Sequence, residues 1–262
     1  MNIYECRTPH ELLAGNSYVG RGIVIGKTPD GKKAVAAYFI MGRSANSRNR
    51  VFELEGDTLY TRPFDETLVE DPSLIIYAAV RRAGDKLIVT NGDQTDTIYH
   101  ALAEGKSFEE ALTTRSFEPD APNFTPRISG MLTFSENAHF SYEMSILKSA
   151  DAEGSACSRY HYCYPSLPGV GHFLHTYMGD GKPLPTFQGE PERMAVPDDI
   201  DELTQTLWEE LDCDNRISLY VHMQDLESGS IERRIINKYE QLGRNYITLI
   251  DDRERKSKNE RI

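Results

Sequence analysis

From Met41 to Arg50 the chain reads Met-Gly-Arg-Ser-Ala-Asn-Ser-Arg-Asn-Arg, with three arginines, two serines, two asparagines and no acid. Guanidinium groups present planar forks of donors matched to phosphate or carboxylate, and the short side chains add single donors. The segment leaves an apolar run and enters a loop, and loops on a rigid scaffold carry most binding sites. A solvated loop whose arginines pair with surface acids is the plain alternative, and the residues alone leave both readings open. Two further segments have a similar character. Thr90-Asn91-Gly92-Asp93-Gln94-Thr95-Asp96 joins an expected strand to an expected helix, a position suited to an anion, unless Asp93 or Thr95 merely caps the helix. In Asp120-Ala-Pro-Asn-Phe-Thr-Pro-Arg127 the two prolines fix an extended entry to a strand, with Arg127 opening its apolar run.

Single residues add proton chemistry. Tyr77 is a phenol inside an apolar run, where the usual role is a core ring with a satisfied hydroxyl. Glu143 is the one ionisable group on the polar face of its strand. His172 and His175 stand three apart, a spacing that would make a metal pair only on a helix. The glycines and prolines from Gly169 to Pro185 argue against a helix, so this stretch reads as a loop bordering a site. Cys157-x3-His161-x-Cys163 could supply three zinc ligands, but no CxxC pair accompanies it, and the plain reading is a polar loop running into a strand. The four cysteines are expected as free thiols. No Gly-x-Ser-x-Gly, Walker loop or HExxH occurs, which sets aside the commonest hydrolases and phosphoryl-transfer enzymes.

Bulk properties narrow the partners. The 262 residues carry 29 basic and 41 acidic side chains, a net charge of −12, unsuited to nucleic acid or an anionic membrane, both of which want a broad basic surface. That acidity makes the acid-free arginine segment more informative. No run of about 18 apolar residues is present, and the N-terminus lacks the basic-then-apolar pattern of a signal peptide, so the expected compartment is the cytoplasm. A homo-oligomer is allowed by the sequence but not specified by it.

The elements that must position these groups are mostly strands. Tyr18–Thr28 and Lys33–Met41 flank the turn Pro29-Asp30-Gly31-Lys32; Val51–Leu54 and Thr58–Thr61 form a second hairpin, Leu74–Val80 and Lys86–Thr90 a third. Ile128–Phe134 and His139–Leu147 follow, and Ile217–Met223 is a late strand. Helices are predicted over Gln94–Glu104, from the capping box Ser107-Phe-Glu-Glu, and over Asp199–Leu211. Near-continuous apolar strands are covered on both faces. The fold class is therefore α+β, two mostly antiparallel sheets sandwiched between helices, in a single domain over residues 1–250 with a charged, frayed tail over 251–262.

Taken together, Tyr18-Val-Gly-Arg21-Gly, Gly42-Arg-Ser44 through Ser47-Arg-Asn-Arg50, Thr90-Asn-Gly92 with Thr95-Asp96, and Thr125-Pro-Arg-Ile128 resemble the archaeal-type IMP cyclohydrolase family, which also has bacterial members. The pieces come in the family's order over roughly residues 16 to 150, and Gly169 to Pro191 resembles the bacterial members. The longer C-terminal third departs from the compact archaeal form.

The resemblance implies a four-layer αββα sandwich of the N-terminal-nucleophile hydrolase type, lacking that class's self-processing nucleophile. It also implies ring closure of formyl-aminoimidazole carboxamide ribonucleotide to inosine monophosphate, a dehydration in purine synthesis that needs neither cofactor nor metal. On that reading Arg43, Ser44 and Arg50 hold the phosphate, and Arg21, Arg48, Asn49 and Thr125 complete the substrate site. Tyr77, which matches a tyrosine in the family's pattern, serves the formyl oxygen. Arg127 and Glu143 orient the carboxamide, with Glu143 as base, and Asn91 and Asp96 hold the purine base or ribose. The rivals are a hydrolase acting on a related purine or imidazole nucleotide, and a nucleotide-binding regulator without the chemistry.

Overall fold

The computed structural model describes residues 2–69, 76–239 and 247–251. In chain order the strands are Arg21–Lys27 (β1), Lys33–Met41 (β2), Val51–Glu55 (β3), Thr58–Arg62 (β4), Tyr77–Ala83 (β5), Lys86–Thr90 (β6), Arg127–Ser135 (β7), His139–Ser149 (β8), Cys157–Pro165 (β9), Val170–His175 (β10), Glu192–Ala195 (β11), Arg216–Asp225 (β12), Ile231–Asn237 (β13) and Ile247–Asp251 (β14). The helices are Pro9–Leu13 (α1), Ala45–Arg48 (α2), Gln94–Ala103 (α3), Phe108–Leu112 (α4) and Ile200–Glu210 (α5). Two seven-stranded sheets result, ordered β11-β10-β1-β2-β12-β13-β14 and β3-β4-β5-β6-β7-β8-β9. Neighbouring strands pair antiparallel throughout both sheets.

The period-two alternation of side chains sorts each strand between two hydrophobic layers. From β1 and β2, Ile23, Ile25, Ala36, Tyr38 and Ile40 face Ala79, Val89, Ile128, Leu132 and Met144 of the second sheet, forming the central core. The alternate residues Val24, Val35, Ala37, Phe39 and Met41 face outward onto Ile200, Leu203 and Leu207 of α5 and Leu13 of α1. Outside the second sheet, Ile88, Met131 and Leu147 meet Ile98 and Ala101 of α3 and Phe108, Ala111 and Leu112 of α4. Helices thus cover both outer faces. The helix starts are set by local chemistry: the Asp199 carboxylate accepts from the Asp201 and Glu202 amides, and Ser107 and Glu110 form the expected reciprocal capping box.

Several expectations need correction. Cys157–Pro165 is one continuous edge strand and no part of it a loop. Within the stretch read as a loop, Val170–His175 pairs with both β1 and β11, because Phe173 and Leu174 find cover on opposite faces of the first sheet, which the neighbouring glycines hide from a sequence reading. The arginine segment contains the single helical turn α2, capped by Ser44. Leu74 and Ile75 lie outside the described residues, as do residues 252–262 of the expected tail, whereas Asp251 ends β14 opposite Glu232.

Candidate active site

The strand registers bring several element ends to one end of the sandwich. Arg21 at the start of β1 lies opposite Ile40 near the end of β2, and Gly22 opposite His175 at the end of β10. In the other sheet, Thr61 near the end of β4 pairs with Tyr77 at the start of β5, and Arg127 opens β7. A cavity of about 260 Å³ opens there, lined by Tyr18, Arg21, Arg43, Ser44, Asn46, Ser47, Arg50, Glu118, Asp120, Asn123, Thr125, Tyr177 and Leu184. Two glycines permit this crowding. Gly42 lets α2 fold back on the end of β2, since a Cβ there would meet the Ser47 carbonyl oxygen at 2.6 Å. Gly20, at φ +79°, is hemmed in by Thr176 and Tyr177, a left-handed conformation that other residues enter at a cost.

Two buried guanidinium groups dominate the electrostatics. Arg21 is 9% exposed and Arg50 6%. Burial, and then the neighbouring Arg21 charge, lower the Arg50 pKa below the usual arginine value. Burial works against the Arg21 charge too, but Tyr18, Glu118, Tyr77 and Tyr177 outweigh it and hold its proton more tightly than usual. Two like charges crowded away from water favour a bound anion, which relieves both desolvation and mutual repulsion. Arg43 lies over the Tyr18 ring at 4.9 Å and is already engaged with Asp180 and with the Gly181 carbonyl, 3.0 Å away. It can therefore serve an anion only by sharing its charge.

The proton-handling groups sit beside these cations. The hydroxyls of Tyr77 and Tyr38 are 2.9 Å apart in the central core, and Tyr77 acts electrostatically on both Arg21 and Arg50. Glu118 is half-buried; burial raises its carboxyl pKa above the ordinary range against the opposing pull of Arg21, Arg127 and Arg50. Among the described residues no hydrogen-bond donor reaches that carboxyl, which leaves it available to a ligand. Asp120 is committed instead, accepting from the Thr125 amide at 2.6 Å and from its hydroxyl, which also lies 2.6 Å from the Tyr177 hydroxyl.

Of the residues expected at the site, the cavity gathers Arg21, Arg43, Ser44, Arg50 and Thr125, with Tyr77 adjoining. The Ser44 hydroxyl caps α2 by accepting from the Ser47 amide at 3.1 Å. Arg127 donates to Asp93 at 2.7 Å and Gln94 at 2.8 Å, while lying within electrostatic range of Glu118. Asp93 therefore spends its carboxylate on arginines and makes no side-chain cap for α3.

The structure does not bring the others there. Arg48 donates to the Gly42 carbonyl and to Asn215, tying α2 to the scaffold. Asn49 bonds both ways with the Asp65 backbone. Asn91 bridges Pro126 and Ile128, holding the β6 and β7 ends together. Asp96 pairs with Arg81 on the outer side, where Arg81 also stacks on Tyr99. Glu143 stands opposite Met131 of β7, and both face away from the central core; its partner is His161, 2.9 Å away. His172 and His175 are buried, the first against the Tyr142 hydroxyl at 2.6 Å, the second between the Tyr177 carbonyl and Glu192. Sequence reasoning missed Tyr18, Glu118 and Tyr177 as site residues. Tyr18 and Tyr177 lay within segments already singled out, but nothing local marked Glu118.

Residues 18–229 match the family model described as IMP cyclohydrolase-like protein. The chain belongs to the IMP cyclohydrolase-like family. A relative from Methanopyrus kandleri, named IMP cyclohydrolase, is 32% identical over 153 residues, 55% of this chain and 75% of that protein. One of the same name from Methanococcus maripaludis strain C7 is 37% identical over 131 residues, 48% of this chain and 62% of its own length. One from Haloquadratum walsbyi is 24% identical over 226 residues, 84% of this chain and 98% of its own. The matched IMP cyclohydrolase-like region begins at Tyr18 and takes in every residue lining the cavity.

Proposed function

We propose that this chain is an IMP cyclohydrolase, closing formyl-aminoimidazole carboxamide ribonucleotide to inosine monophosphate with loss of water, on a fold of the N-terminal-nucleophile hydrolase type. Family membership supports the reaction, and two antiparallel sheets packed face to face between helices support the fold. The observation that carries the reading is the juxtaposition, in one cavity, of the buried cations Arg21 and Arg50 with the unengaged carboxyl of Glu118, with Tyr77 adjoining in the core behind it.

The reaction forms a bond between the carboxamide nitrogen and the formyl carbon and breaks the formyl carbon–oxygen bond. The oxygen departs as water carrying one proton from the carboxamide nitrogen and one from the formamide nitrogen, which ends doubly bonded to that carbon. Attack is intramolecular, so holding the two groups in contact supplies much of the acceleration. A base must relieve the attacking nitrogen of a proton, and an acid must protonate the oxygen. Glu118, with its raised pKa and its place in the cavity, takes the base role that the sequence suggested for Glu143. Tyr77 donates to the formyl oxygen, its hydroxyl oriented by Tyr38, while Arg21 stabilises negative charge developing there. Arg43, Arg50 and the hydroxyls of Ser44 and Ser47 receive the phosphate, and Arg127 orients Glu118 and the carboxamide. The substrate is a small anionic ribonucleotide, and no step calls on a cofactor.

Incubation with the formylated ribonucleotide, followed by absorbance of the closed purine, tests this. Stoichiometric conversion to inosine monophosphate is expected. Tight binding of inosine monophosphate with no turnover would leave a nucleotide-binding regulator in its place, and turnover only of a different purine or imidazole nucleotide would leave a related hydrolase.

A further inference from the structure

On the outer face of the second sheet, remote from the cavity, the cross-strand neighbours Glu143 of β8 and Cys163 of β9 stand directly opposite one another, and His161 lies two residues along the same face. The His161 Nε2 is 2.9 Å from a Glu143 carboxylate oxygen and 3.7 Å from the Cys163 sulfur, and that sulfur is 4.0 Å from the same oxygen. Around a tetrahedral zinc, bond lengths of about 2.3 Å to sulfur and 2.0–2.2 Å to nitrogen and oxygen imply ligand–ligand separations of about 3.4–3.6 Å. The three atoms depart from that triangle by roughly half an ångström, within the reach of small χ rotations.

A second observation is independent of the triangle. The other ring nitrogen of His161, Nδ1, faces the Glu109 carboxylate of α4 at 3.5 Å, and the Phe108 ring packs against the imidazole at 5.7 Å. A ligating histidine whose second nitrogen addresses a carboxylate is the usual arrangement that fixes ring orientation at a metal. Here it turns Nε2 toward Glu143 and Cys163. Cys163 is exposed, which leaves a solvent-facing fourth position. One thiolate, one imidazole and one carboxylate is a donor set for zinc, not for calcium or magnesium, which take oxygen alone.

We infer that Glu143, His161 and Cys163 form a three-residue zinc site, oriented by Glu109, that fastens the edge strand β9 to β8 and α4. The sheet supplies the geometry, because neighbouring positions on paired strands are held within a few ångströms of each other. The site is separate from the proposed ring closure, and its test reads metal, not turnover.

The full chain, freed of metal with a chelator, is titrated calorimetrically with zinc and separately with cobalt(II). One equivalent is expected to bind, and the cobalt form is expected to show a thiolate-to-metal absorption in the near ultraviolet. Cys163→Ser should abolish that band, and Cys163→Ser and His161→Gln should each weaken zinc binding at least tenfold. Glu109→Gln should weaken it about tenfold, the usual effect of removing an outer carboxylate. Absence of stoichiometric binding, a cobalt spectrum without the thiolate band, or affinity unchanged in the two ligand variants would each overturn the assignment. The wild-type cobalt spectrum keeps the test decisive if a variant fails to fold.

Discussion

Two side chains, Glu118 in the cavity and Tyr77 adjoining it, have separable roles. If Tyr77 donates to the departing oxygen, Tyr77→Phe removes the proton and leaves the ring in the core. Turnover should then fall by about two to four orders of magnitude, the usual worth of one acid–base group, with a stability loss of only about 1–3 kcal/mol because the buried Tyr38 hydroxyl loses its partner. Near-normal cyclisation in that variant would remove Tyr77 from the mechanism. Glu118 acts as a base only when ionised, and its raised pKa places that ionisation above the ordinary carboxylate range. The rate at low substrate should accordingly rise with pH through the Glu118 ionisation, and Glu118→Gln should both slow the reaction and flatten that limb. A variant that is slow but retains the same limb would assign the titration to another group.

At the scale of elements, the arginine segment works because a short turn is folded tightly against a strand end. Gly42 is the contact that allows it, with Ser47 and Arg48 backbone atoms 2.6 to 2.9 Å from where a Cβ would sit. Gly42→Val should push α2 outward, at about 1–3 kcal/mol for forcing atoms into a packed contact. The Michaelis constant should rise about tenfold or more with a smaller change in kcat, because substrate-holding groups move while Tyr77 and Glu118 remain. Steady-state kinetics beside a denaturation curve separate the two effects, and an unchanged Michaelis constant would detach α2 from substrate binding. Helix α5 gives the contrasting case. Leu207 is fully buried against the outer face of the first sheet, away from the cavity. Leu207→Ala should cost about 2–5 kcal/mol of stability, with kcat preserved in the folded fraction at low temperature.

For the whole molecule, pH acts through histidines that the sandwich buries. Burial, and then Arg193, lower the His172 pKa to about 4, and burial drives that of His222 well below the model-peptide value. Both imidazoles are neutral in the folded chain, whereas in the unfolded chain they take up a proton near pH 6.5. The stabilisation from keeping them neutral is therefore complete above about pH 6.5 and is lost progressively as pH falls below it, for His172 down to about 4. His172 should contribute a loss of about 2 kcal/mol between pH 7 and pH 5, from the linkage of about 1.4 kcal/mol per pH unit, and His222 a loss of the same sign. Carboxylates add a second decline at lower pH. Asp93 and Glu192 resist burial through Arg115 and Arg127 and through His175 and Arg7 respectively, which holds their pKa values below the ordinary range, so that contribution vanishes only as they protonate. Urea midpoints measured from pH 7 to 4 should fall throughout; a flat profile between 7 and 5 would show that these histidines are not held neutral by the fold.

Much of this protein was written locally. The alternation in β8, the turn after β1, the Ser107 and Asp199 caps and the apolar stripe of α5 each depend on neighbours within a few residues, so their elements could be read from the chain. The arginine segment was legible for the same reason, as a dense run of donors beside an apolar strand. What the sequence could not decide is which donors point where. Arg48, Asn49 and Asn91 have the chemistry of ligand-binding groups, but the fold spends them on carbonyls and amides of adjoining segments, because buried backbone groups at strand ends must be satisfied. Glu143 was correctly placed on a polar face, yet only the stacking of two sheets determines that this face looks away from the cavity and toward His161 and Cys163. Glu118 carried no local signal at all. Its chemistry arises when Arg21 from one sheet and Arg50 and Arg127, at the starts of two strands of the other, act on it together, and only the tertiary structure sets those distances.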